Sequence, residues 1–86
     1  MMVVFEVHLA HGADPSHLLT AEILKETQAQ VMTIDEARKV GFDGLPPAPE
    51  GTEVRLIACV QSHAKWIRDR LERNEIVGGY RVHEVG

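Results

Sequence analysis

Five of the 86 residues are histidines, and they carry most of the chemistry this chain can offer. His8 and His11 lie three positions apart. His17 follows Pro15-Ser16, His63 follows Gln61-Ser62, and His83 lies near the last residue. A neutral imidazole accepts or donates a proton, or ligates a metal, near neutral pH. Ser16, Gln61, Ser62 and Tyr80 add hydrogen-bonding groups, and Glu6 and Arg81 stand two residues from His8 and His83. Other chemistries find less support. No Gly-x-Ser-x-Gly or glycine-rich phosphate loop is present, and adjacent Ser62 and His63 diverge on a helix instead of meeting. His8-x-x-His11 lacks the i,i+4 helical spacing of a zinc-binding helix. The single Cys59 reads as a small apolar residue. The residues therefore assign no metal and no cofactor, and the paired acids Asp35-Glu36 are explained by a helix start.

These side chains need elements to position them. Val3, Phe5, Val7 and Leu9 alternate with Val4, Glu6 and His8, the period of a half-buried strand. His11-Gly12-Ala13 is a turn, after which Asp14 as N-cap and Pro15 at the first helical position predict a helix from Ser16 to at least Thr27. Residues 28–34 read either as a continuation of that helix or as a short strand. Thr33-Ile-Asp-Glu36 has capping-box spacing, which predicts a short helix to Val40 ended by Gly41. Three prolines in four residues make 43–52 an exposed loop, a plain connector in preference to a docking motif. Val54–Val60 is a strand, a helix opens at Ser62 and runs to about Arg73, Gly78-Gly79 breaks the chain, and Tyr80–Val85 is the last strand. In the second helix Ala64, Ile67 and Leu71 form one apolar stripe with Trp66 beside it.

Strand-helix, an irregular middle, then strand-helix-strand resembles the order of a ferredoxin-like βαββαβ sandwich, provided residues 28–34 supply the second strand. Without that strand, a three-stranded α+β sheet with three helices is the alternative. The ferredoxin-like modules include amino-acid-binding regulatory domains, metallochaperone domains and small dimeric α+β barrels. The resemblance is one of architecture alone. The Cys-x-x-Cys of the metallochaperones and the aromatic patches of RNA-recognition domains are absent, so no activity is carried across.

Two candidate surfaces follow. If strands one and three are neighbours running the same way, their C-terminal ends and both helix N-termini share one edge. That edge would gather His8, His11, His17, Ser62, His63 and Tyr80 into a small-anion or metal site. The second surface is the sheet face away from the helices, read as Glu6, His8, Arg55, Ile57, Cys59, Arg81 and His83. It is either a wet face or a dimer or partner interface, with Glu6 and His8 meeting Arg81 and His83 across adjacent strands.

Composition sets the frame. A chain this short makes one small domain over residues 1–86 with one modest core, and such domains gain by covering a face with a second copy. Residues 1–43 carry seven acids against three bases, whereas residues 44–86 carry six of each. The net charge of −4 argues against nucleic acid. Lys65, Arg68, Arg70 and Arg73 do cluster, but i,i+4 pairs such as Lys65/Asp69 and Arg68/Glu72 neutralise them. No apolar run reaches the ~20 residues of a membrane span, no signal peptide is apparent at the N-terminus, and one cysteine points to no oxidising compartment. The expectation is a cytoplasmic binding, regulatory or accessory module acting through a protein partner, a small anion or self-association. One alternative is a small dimeric α+β-barrel enzyme using histidine as its acid-base group. A second is a protein-directed inhibitor or adaptor.

Overall fold

Alternation at the start of the chain produces strand β1 (Met2–Leu9), whose Val3, Phe5, Val7 and Leu9 are all buried. The structure, a computed structural model, describes residues 2–42 and 51–85. β1 is paired on one side with β3 (Val54–Val60) and on the other with β4 (Val77–Val85), and β2 (Gln30–Met32) pairs with the far side of β3. Every pairing is antiparallel and the order is β2-β3-β1-β4. With helices α1 (Ala21–Thr27), α2 (Ile34–Lys39) and α3 (Ala64–Arg73), the described residues form a mixed α+β arrangement on an open antiparallel sheet. The three-stranded alternative fails because Gln30–Met32 pairs with Leu56–Ala58.

The expected same-direction pairing of the first and third strands is overturned. β1 and β3 run antiparallel, with Met2 opposite Val60 and His8 opposite Val54. Each helical crossover returns the chain in its original direction, so β2 runs with β1 and β4 runs with β3. Because β2 and β3 are antiparallel neighbours, β3 must oppose β1.

Caps decide where the helices begin. Asp14 does cap, accepting from the Ser16 backbone N–H at 3.0 Å with Pro15 at the first position, but only one 3₁₀ turn follows, Pro15–His17. The chain then bends so that Leu18 and Leu19 both enter the core, and Thr20 caps α1 anew through Ile23 N–H at 3.2 Å. The predicted single helix from Ser16 is therefore two pieces. Thr27 ends it: its Oγ1 donates to Ile23 O at 2.7 Å and accepts from Ala29 N–H at 3.3 Å, and Gln28 takes φ +54°. The capping box at α2 forms as read, with Thr33 Oγ1 accepting from Glu36 N–H and Glu36 Oε1 accepting from Thr33 N–H. Gly78 and Gly79 do not break the chain before β4. They lie inside it, at a register shift opposite the His8/Leu9 step. The proline-rich connector lies, from 43 to 50, outside the described residues.

The sheet is covered on both faces at its centre. Val3, Phe5, Val7, Leu9, Ile57 and Cys59 pack against Ile23, Ile67 and Leu71 of α1 and α3. On the opposite face Val4, Leu56, Ala58 and Met32 pack under Ala37 of α2, with Ile34 and Phe42 beside them. Burying each large aliphatic side chain contributes about 1.5–3 kcal/mol. Both faces of β3 are thus apolar, which is why its alternation could not tell inside from outside.

Candidate functional site

Glu6 is a charged residue in the core, only 5 % exposed. β1 places it on the α2 face, between Leu56 of β3 and Arg81 of β4. His8 lies two residues along the same strand face, and His83 reaches in from β4 at the diagonal position, itself opposite Val4. Glu6 Oε2 is 2.5 Å from His8 Nε2, and Glu6 Oε1 is 3.0 Å from His83 Nε2. Burial pushes the Glu6 carboxyl up, but the hydrogen bonds and charge of His8 and His83 outweigh it and hold the group below the ordinary glutamate value. An ionised carboxylate only accepts, so both imidazoles present an Nε2–H to it. This orients both rings and aims both Nδ1 atoms away from the shared carboxylate, as a supporting carboxylate does for a working histidine. Both rings are partly exposed, at 23 % and 33 %.

The remaining candidates are dispersed. Antiparallel pairing puts His8 and His11 at one end of β1, while Ser62 and His63 follow Val60 at the opposite end, in the 3₁₀ turn Gln61–His63. The single edge expected to collect six site residues is not formed. His17 is exposed in its own 3₁₀ turn, 3.6 Å from Asp14. Tyr80 pairs with Val7 and lies on the core side, edge-on to Phe5 with ring centroids 6.0 Å apart, and its hydroxyl donates to Glu72 Oε1 at 2.7 Å. That carboxylate acceptor raises the Tyr80 phenol above its ordinary value. His63 Nδ1 is shielded and makes no hydrogen bond among the described residues.

The second surface is corrected as well. Glu6, His8, Arg81 and His83 do share a face. Arg55, Ile57 and Cys59 do not, because Phe5 opposes Ile57 and Val7 opposes Arg55 on the α1/α3 side. Ile57 and Cys59 are core residues, and Arg55 pairs with Glu53 at 2.9 Å. Among the described residues Arg81 makes no ion pair with Glu6, although the two are opposite in register.

Asn74 escaped the sequence reading. Its Nδ2 donates to the carbonyls of His17 and Leu18, and its Oδ1 accepts from Ile76 N–H, tying the end of α3 to the bend before α1. A polar residue directly after a helix is too common a signal to single it out.

Among the described residues no group of three or more His, Cys, Asp or Glu side chains is arranged to hold a metal ion, and no helix is long and apolar enough to cross a membrane. No family model matches this chain, and no curated protein matches its sequence.

Proposed function

We propose that this protein is a small binding module of ferredoxin-like architecture that self-associates or engages a protein partner through the β1/β4 part of the sheet. The architecture is supported by two interleaved strand-helix-strand units, with β3 lying between β1 and β2 and β1 lying between β3 and β4. The helix α2 between β2 and β3 is an addition to the βαββαβ order. The observation that carries the functional reading is the buried Glu6 carboxylate held by two partly exposed imidazoles on a face that α2 leaves open. A partner that excludes water from this carboxylate must supply donors in its place, so only a complementary surface is accepted.

Native mass spectrometry of the untagged protein at about pH 5.5 and pH 8, on either side of the ordinary imidazole range, tests this reading. The expected result is a species heavier than one chain, in a proportion that changes with pH. A bare single chain at both pH values would remove self-association and leave a different protein as the partner. A heavy species in constant proportion would remove His8 and His83 from the contact.

A further inference from the structure

The two edges of the sheet differ. β2 is three residues long, whereas β4 runs for nine and ends the sheet with its outer edge unpaired among the described residues. Sheets avoid pairing with other chains by short edge strands, prolines, charged side chains (lysine above all) and bulges, and of these β4 carries the charges of Arg81 and Glu84. β4 has neither proline nor lysine, and its one irregularity lies at Gly78, so residues 79–85 are regular. At the centre of that stretch Val82 is 39 % exposed. We infer that β4 pairs antiparallel with β4 of a second copy about a two-fold axis at Val82, making one continuous sheet. This rests on the reading of the chain as a self-associating module and names its partner and contact.

β4 is complementary to itself in this register. Residues opposite one another in an antiparallel pair share a face. Centring on Val82 sets Val82 against Val82, Tyr80 against Glu84, and Arg81 against His83. Shifting the axis to Arg81 would set two guanidinium groups against each other, and shifting it to His83 would set Glu84 against Val82. In the Val82 register Glu6 completes the contact. A neutral His83 that directs Nε2–H to Glu6 has its Nδ1 as an acceptor, and the guanidinium of Arg81 has only donors to offer. The sequence Glu6, His83, Arg81 of the second copy then crosses the interface twice. Each buried carboxylate gains a counter-charge that Arg81 of its own chain does not provide.

Sedimentation equilibrium on the wild type, Val82→Lys and Val82→Cys tests the contact. The wild type is expected to have a two-chain mass. Val82→Lys sets two ammonium groups together and weakens association about tenfold or more, equivalent to about 1.4 kcal/mol, while its circular dichroism stays native. Under mild oxidation Val82→Cys forms an intermolecular disulfide, with the buried Cys59 remaining a free thiol. A wild type that is a single chain at every concentration overturns both the contact and self-association. A wild-type dimer whose Val82→Cys form does not crosslink overturns the β4 contact alone. If Val82→Lys fails to fold, the crosslink decides.

Discussion

His83 Nε2 lies 3.0 Å from Glu6 Oε1, though the two residues are 77 positions apart in the chain. The contact joins the first strand to the last, so the cluster forms only once β4 has added to β1. It also places a buried charge, the Glu6 carboxylate, in the part of the sheet formed by β1 and β4.

Replacing Glu6 with Gln removes the charge and forces one imidazole into its other tautomer. Hydrogen bonds to charged groups contribute about 1.5–3 kcal/mol against roughly 1 for neutral ones, so the expected loss at about pH 7 is about 1–2 kcal/mol. The folded carboxyl is held below its ordinary value, so its contribution is complete above about pH 4.3 and is lost as the pH falls through the lowered value. Urea midpoints of wild type and Glu6→Gln should therefore converge as the pH falls below about 4.3. A gap that stays constant or widens in acid would show that the carboxylate is not stabilised by its two imidazoles.

Tyr80 is the one tyrosine in the chain, so phenolate absorbance reports it alone. Its hydrogen bond to Glu72 favours the protonated phenol, and the ionisation should lie above the ordinary value of about 10. Glu72→Gln should bring it down toward that value. Coincident titration curves for the two proteins would mean that the 2.7 Å contact does not persist in solution.

Where a signal was local, the sequence was readable. The capping box at Thr33 and Glu36, the Asp14-Pro15 start and the stripe of Ala64, Ile67 and Leu71 all depend on spacing within one turn, and all occur. The meeting of Glu6 with His83 was also legible, because period-two alternation assigns both to one face. The direction of β3 was not. Its run Val54–Val60 is apolar on both faces, so neither its facing nor its neighbour's direction is encoded locally. The direction decides that His63 lies at the end of the sheet away from His8, and the facing decides that Ile57 and Cys59 lie on the α1/α3 side. Thr20 hid a second helix start inside an apolar stretch that looks continuous without its cap.

Cys59 is 2 % exposed in the core beneath α1 and α3, and burial raises its thiol above the ordinary value. The native protein should therefore react with a thiol reagent only as fast as the core opens. Adding urea below the unfolding transition should accelerate labelling, and core variants such as Ile67→Ala, expected to cost about 2–5 kcal/mol, should accelerate it further. Labelling at the rate of a free thiol in the absence of denaturant would contradict this packing.

Asn74 separates two explanations of how α3 is joined to the rest of the chain. If Asn74 acted only as a spacer, Asn74→Asp and Asn74→Ala would be similar and mild. In the structure its Nδ2 donates at 3.2 Å to the carbonyl of His17 and at 3.1 Å to that of Leu18, while Oδ1 accepts from Ile76 N–H at 3.1 Å. Aspartate keeps the acceptor but turns a second oxygen toward two carbonyl oxygens, and alanine removes all three bonds. Asn74→Asp should therefore cost at least as much as Asn74→Ala, each about 1–3 kcal/mol, although aspartate is the closer isostere. Hydrogen exchange distinguishes the two losses: Ile76 N–H should remain protected in Asn74→Asp and lose protection in Asn74→Ala. Equal protection in both variants, or a neutral Asn74→Asp, would show that the side chain does not hold the α3 end to the bend at His17 and Leu18.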